Sequence, residues 1–499
     1  MRQSIFVTSL LVLFAVEAQA ATFNVTRIDD PEPDACVPAD CSLREAVLAA
    51  NAAAGADTVV LPAGVYTLTR GVLPRVEGQS MLLQGAGSGQ TRITSNEITG
   101  VTRFLGARTN AELGITGLTL AVQGGAGLTA LEILNSTLLA TDLVTEASGR
   151  IDIDGGSTAT FRNARLERSL NNSGALLVED SELFNVYQSG STAQATLRRV
   201  LIDKLDPDYA FPSSVLLTTG VMTIEDSTVT HSSIAATGGA LTLHRLHYLD
   251  NGSPVSIQSG ASVAIDDSLF ENNTARALFL DSPQSSSTIS GSTFSNNRTN
   301  SEFGGGALYV GTGTTLDIRN STFAGNTFET GIPAGTRGAA IGFAGNDAQL
   351  TLRHVTIVPP TAVPSGIHGT AIGGSGNTAT LKIFNSIVRG TCALEAGVLQ
   401  GISRGNIENP NNTCGLNTAT NQVSVTNAAL ALGTLADHGG PTPTYSLNEG
   451  SVAIDNAHVL YYLSLDQRGY SRSGPSTSDI GAYEFGATIE RLFADGFDG

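Results

Sequence analysis

Asp266-Asp267 is a pair of carboxylates of the kind that glycosidic-bond chemistry uses, one carboxyl giving a proton while the other acts as base or nucleophile. Such a site would also want a histidine close by. The equivalent stretch further on reads Gly291-Ser292, and the turn Ile367-His368-Gly369 falls about four repeats away, ~20 Å by strand spacing. Of the seven histidines, His244 and His247 stand near Asp250 and His231. A metal or proton-transfer cluster would need them on one side, whereas on a strand His244 and His247 face opposite ways, so they read as surface residues. Asp152-Ile153-Asp154-Gly155 hints at calcium but lacks the closing glutamate of a calcium loop, and its aspartates alternate with isoleucines as ordinary strand residues do. No G-x-S-x-G elbow or H-E-x-x-H helix occurs, and the glycine pairs do not precede helices, which removes phosphate cradles. No catalytic, metal or cofactor-binding residue is assigned on these grounds, and no cofactor is expected.

The elements that would hold any site must be strands. The 499 residues are 41% hydrophobic and 14% charged, with 56 glycines and no tryptophan. Leucine, valine and isoleucine recur throughout, which excludes a disordered chain. A net charge of −18 and only two lysines, Lys204 and Lys382, argue against nucleic acid and anionic lipid as partners. Met1-Arg2-Gln3, an apolar run from Ile5 to Val16 and the small-residue triplet Ala18-Gln19-Ala20 read as a secretory leader removed after about residue 20. No later apolar run is long enough to span a bilayer. Export permits disulfides, and the four cysteines are expected to pair as Cys36–Cys41 and Cys392–Cys414, with no histidine beside either pair to suggest zinc.

A phrase of the form apolar-x-x-small-x-apolar recurs eleven times from Ser136 to Ser386, about every 25 residues. The residue three before each small position (Ile133, Phe161, Val178 and onward to Ile383) and the residue two after it (Leu138, Leu166, Leu183 and onward to Val388) are apolar in all eleven units. The local alternation is that of strands, and no unit can bury its apolar face alone, so neighbours must stack. Unequal steps fit a three-sided parallel β-solenoid with variable loops. Thr58–Leu68, Met81–Gln84 and Leu113–Leu120 read as further coils, making about fourteen in a rod of ~65 Å. Opposite ends of such a rod are too far apart to be bridged, so each disulfide must be local.

Just before the small position stand two columns of charge. They read Arg162 and Asn163, Glu179 and Asp180, Arg198 and Arg199, Glu225 and Asp226, His244 and Arg245, Asp266 and Asp267. In a parallel stack these become vertical neighbours of alternating sign, and a slip by one coil would bring like charges together, so the ladder is read as register control. Ser42 to Ala54 is the one convincing helix, with Ser42 and Glu45 forming a capping box, and it is placed as a lid on the first coil. The chain thus divides into a leader (1–20), an N-terminal cap (21–57), a parallel β-helix (58–425), a C-terminal cap (426–485) and a tail (486–499) whose Leu492–Asp498 carries two phenylalanines.

Cys41-Ser42-Leu43-Arg44-Glu45-Ala46 resembles the name-giving motif of the CSLREA domain of exported bacterial proteins. The Gly238-Gly239-Ala240 and Gly305-Gly306-Ala307 turns, with Phe270-Glu271-Asn272-Asn273 and Phe294-Ser295-Asn296-Asn297, resemble polymorphic outer-membrane-protein repeats. The series from Gly439 to Phe485 resembles the choice-of-anchor Q domain. These resemblances imply an all-β, right-handed parallel β-helix of the pectin lyase-like kind, at the cell surface or secreted. The expected function is non-catalytic adhesion or polysaccharide binding, on an extracellular polymer or a host or neighbouring cell surface, by a monomer. The alternative is a lyase or hydrolase acting on an acidic polysaccharide. Three or more convergent carboxylate, arginine or lysine side chains in an open groove would favour the enzyme.

Overall fold

The computed structural model describes residues 19–95, 103–122, 128–147, 149–203, 213–282, 285–301, 304–329, 338–360, 370–376 and 378–487. The leader up to Ala18, Lys204, His368 and the Leu492–Asp498 tail lie outside them. The alternation seen in sequence becomes a parallel β-helix of triangular section. One face is a stack of fourteen strands from Ala56–Leu61 to Thr380–Phe384, each paired in parallel with the next. A second face runs from Gly64–Leu68 to Ile407–Asn409, and a third from Val76–Glu77 to Thr391–Leu394. Inward side chains form vertical columns: on the first face Val59, Leu83, Ile115, Ala140, Phe161, Val178 and so on to Ile383, all at most 1% exposed.

The first unit of the sequence repeat is out of phase with the rest. Ala140, not Ile133, stacks on Phe161, and Ile133 belongs to the third face opposite Ile153. Ser136 precedes its strand and stacks on Ser157, one corner earlier than expected. The apolar spacing around Ser136 copies the phrase by coincidence of strand alternation, which is the same on every face.

From Ala164 onward the small positions share one corner, and the structure explains their chemistry. Each serine hydroxyl donates to the carbonyl two residues earlier in its own coil and accepts the amide of the coil before. Ser268 Oγ gives to Asp266 O at 2.8 Å and receives Leu246 N at 3.0 Å; Ser292 and Ser321 repeat the pattern. The residue just before the small one is left-handed in coil after coil: Gly117, Asp142, Asn163, Asp180, Arg199, Asp226, Arg245, Asp267, Gly291, Asn320, His354, Asn385 and Gly405 have φ between 43° and 72°. Aspartate, asparagine and glycine adopt that conformation readily, which accounts for most of the column. A second corner carries a buried asparagine ladder, in which Asn273, Asn297 and Asn326 each accept the amide of the coil before and donate to a carbonyl. Phe270, Phe294 and Phe323 stack beside it with centroids 4.6 and 4.9 Å apart.

Every residue of Cys41–Ala46 has a task in closing the first coil. Cys41 bonds Cys36, Ser42 and Glu45 make the capping box of helix Leu43–Ala52, and Leu43 and Ala46 enter the core. Arg44, 7% exposed, grips Asp30 at 2.8 and 2.9 Å and the carbonyls of Val72 and Gly71. Cys392 bonds Cys414, so both disulfides are local.

The C-terminal segment does more than seal the last coil. Leu430, Leu447, Ala453 and Ile480 form their own small core with Ile387 and Ile407. The chain then returns along the side of the helix across four successive coils. Gly481 N reaches Asn385 O at 2.8 Å, Ala482 N reaches Thr356 Oγ1 at 3.0 Å, Gln467 accepts from Thr322 Oγ1 at 2.6 Å, and Thr442 Oγ1 donates to Gly291 O at 2.7 Å. Besides packing on the last coil, the segment forms a lateral strap over the second face and its left-handed corner, which was not expected. The strap is ordered by Asp466, which accepts from Arg468, Tyr470 N and Glu484 N, and by the fully buried Arg472–Glu484 pair at 3.0 Å.

Candidate functional site

The charged columns lie on the first-face edge of the left-handed corner. Arg162, Glu179, Arg198, Glu225, His244 and Asp266 pair one above the other in register. Glu179 is held by Arg162 at 2.9 Å and Arg198 at 3.3 Å, and Arg198 reaches Glu225 at 2.5 Å. His244 Nδ1 lies 3.1 Å from Asp266, and Arg245 contacts the other ring nitrogen of His244. The second column closes into couples. Arg199 holds Asp180 at 2.6 and 2.9 Å, and Arg245 holds Asp226 through both guanidinium arms. Arg199 and Arg245 occupy left-handed backbone that their side chains do not favour, so the ion pairs offset a local strain.

Asp267 is the odd member left over. Among the described residues its carboxylate has no hydrogen bond or ion pair, and it folds into the space above Gly291, where a Cβ would lie 2.1 Å from Asp267 Oδ1. Glycine at 291 therefore ends the ladder and seats the carboxylate. Burial, and then the charge of Asp266, push the Asp267 carboxyl up to about 6. His244, Asp266 and Asp267 bring their ligand-type atoms within 4.8 Å of one another.

The strap begins where the ladder stops. Pro441 forms one wall of an open cleft of about 350 Å³ whose floor is Asp226, Arg245, Asp267, His247, Ser227 and Thr228. Beyond it the corner is covered and uncharged: Gly291, Asn320, His354 and Asn385. His354 is fully buried, bonded to Asn385 at 3.1 Å, and burial together with nearby Arg472 holds it far below the usual histidine range, hence neutral. The cleft thus unites Asp226, Arg245 and Asp267 in an open groove. His244 and His247 both point outward, on two faces flanking Arg245, rather than to opposite sides of one strand. His231 sits elsewhere, 3.2 Å from Asp203.

Other sequence candidates disperse. Asp152 is tied to Arg150, Thr129 and Asn171, and Asp154 caps the turn through Asn135 N, Gly156 N and Ser157, so neither is free for calcium. The cluster Cys392–Glu408–Cys414 has its sulfurs spent in a disulfide. A larger hollow of about 520 Å³ on the first coils is lined by Leu82, Leu139, Thr58 and Glu112, and its exposed carboxylate is bonded to Ser80 at 2.8 Å. Arg276, buried over the stacked pair Phe279–Tyr309 and donating to the carbonyls of Gly304 and Gly305, escaped sequence reading because it serves a loop and follows no column. Among the described residues, no helix is long and apolar enough to cross a membrane.

A family model described as "right handed beta helix region" matches residues 151–358, which gives the coil its hand. No curated protein matches the sequence. Among solved structures, the A-module of the Azotobacter vinelandii mannuronan C-5 epimerase AlgE4 is 17% identical, covering 65% of this chain and 94% of that one at a TM-score of 0.34. The catalytic domain of a GH87 alpha-1,3-glucanase in complex with nigerose is 11% identical, covering 62% and 65% at 0.36. A PL6 alginate lyase in complex with a trisaccharide is 13% identical, covering 86% and 92% at 0.22.

Proposed function

We propose that the protein is exported and binds a polysaccharide in the cleft between the charged corner and the strap. The observation that carries the reading is Asp267, the unengaged carboxyl of a ladder whose other charges are coupled, set in an open groove beside His247 and Pro441. A polymer suits a groove that opens onto a corner whose backbone repeats at every strand spacing and whose charges recur every second coil. Export is supported by Ala18-Gln19-Ala20 and by two local disulfides. Attachment to the cell or a neighbour's surface rests on the anchor-like resemblance of 439–485.

The test is retardation of the purified protein by a panel of immobilised neutral and uronic-acid polysaccharides, with Asp267→Asn and His247→Ala in parallel. Retardation by at least one polymer, lost in both variants, is expected. Retention equal in all three proteins overturns the assignment of the cleft. A second reading, glycoside hydrolysis, is favoured by the convergence of Asp226, Arg245 and Asp267 in one open groove, the condition set above for an enzyme, and by the Asp267 carboxyl raised to about 6 beside Asp266. Release of reducing ends that vanishes in Asp267→Asn would select it.

A further inference from the structure

Ala21 immediately precedes the first strand, Thr22–Asn24, at the start of the helix, and its carbonyl accepts the amide of Thr58 at 2.8 Å. Its own amide donates to Asp57 Oδ1 at 2.7 Å. Asp57 is 1% exposed, and its second oxygen, Oδ2, is buried without a partner among the described residues. A buried carboxylate satisfied by a single amide is an unfinished site, since an orphaned acceptor of this kind is strongly unfavourable. Gln19 and Ala20, immediately upstream, are exposed.

We infer that Asp57 is the built receptor for a new N-terminus at Ala21, completed only when the leader is removed. The step is hydrolysis by an exported-protein leader peptidase. The Ala20–Ala21 peptide bond breaks, water gives its hydroxyl to the Ala20 carbonyl carbon and its proton to the Ala21 nitrogen, and that amine takes a further proton from solvent. An amide with one N–H becomes an ammonium with three, and its extra donors and positive charge meet the oxygen that the uncut chain leaves bare. The sequence agrees independently: Ala18-Gln19-Ala20 ends at this bond. Maturation then locks the edge strand to the first coil. The inference rests on the export reading but not on the cleft.

Two measurements test it. The mass of the secreted protein should place its first residue at Ala21, and any other start overturns the processing assignment. Separately, protein released from a fusion partner with Ala21 first is compared with the same chain carrying one extra glycine, each with and without Asp57→Asn. Amine labelling near neutral pH is readily assigned, because the chain has only two lysines besides the terminus. A free terminus has an ordinary value of about 7.7–8.0, and pairing that raises it by one unit slows labelling tenfold. Labelling of Ala21 at least tenfold slower than in Asp57→Asn is expected, together with a lower melting temperature on adding glycine that Asp57→Asn does not show. Equal labelling rates, or a glycine extension without effect on melting, would refute the pairing. Polysaccharide retention is unaffected in either case, so failure here is distinct from failure of the cleft.

Discussion

Asn297→Ala probes the asparagine ladder at its centre. Asn297 is fully buried, its Oδ1 accepts Asn273 N at 3.1 Å, and its Nδ2 donates to Phe270 O at 2.9 Å. Alanine leaves both of those backbone groups buried and unpaired. Asn273 Nδ2 keeps Tyr248 O, and Asn326 keeps its bond from the residue 297 amide. Each orphaned group costs about 1–3 kcal/mol, so a loss of about 3 kcal/mol is a conservative sum. A solenoid loses cooperativity along its length, which makes a local readout preferable to one global midpoint. Amide hydrogen exchange over peptides spanning 269–297 should accelerate by about two decades, since 1.36 kcal/mol is tenfold. The exposed Asn346→Ala serves as control and should change exchange little. A change under about threefold at Asn273 would mean that water or backbone movement satisfies these groups, and the ladder argument would fail.

Four further outcomes are expected. Because the Asp267 carboxyl is raised to about 6, the folded chain holds its proton where the unfolded chain has lost it, so this group's contribution is full below its ordinary value and lost as pH rises through 6; chemical unfolding of Asp267→Asn should lack that decline. Arg199→Glu would face Glu179, Asp180 and Asp226, and a melting temperature equal to wild type would discard the register reading of the ladder. Removing the Cys392–Cys414 bond by double serine substitution frees a 22-residue loop and should destabilise the last coils by about 3 kcal/mol in denaturant. Gln467 links Thr322, Thr293 and Thr442, so Gln467→Ala should expose the 438–485 strap to limited proteolysis while the helix stays intact; an unchanged digest would show that the remaining bonds of Thr442, Arg472, Gly481 and Ala482 suffice to hold it.

The coil was legible because two columns of the repeat are apolar in all eleven units and its corner charges alternate, both patterns of residue type at fixed offsets. The register of the first unit was not, because all three faces share one alternation and only pairing tells Ile133 from Ala140. The left-handed backbone left a trace in Asn163, Asp180, Asp226 and Asp267, but Arg199, Arg245 and His354 obscured it. The lateral strap could not be read at all, since it joins residues some 150 apart, Thr442 with Gly291 and Gln467 with Thr322, and no spacing rule links them. The cleft depends on that return, so Asp267 could be named as half of a pair, whereas Pro441 as its wall could not.

The alternation of charge has a period of two coils, while the backbone has a period of one. Duplication of a single coil within Arg162–Asp267 would leave every hydrogen-bond ladder intact yet set arginine over arginine or acid over acid at the junction. Duplication of two coils would restore both patterns. Within this stretch the rod is therefore free to lengthen by inheritance only in even steps, and relatives of different length should differ here by pairs of coils.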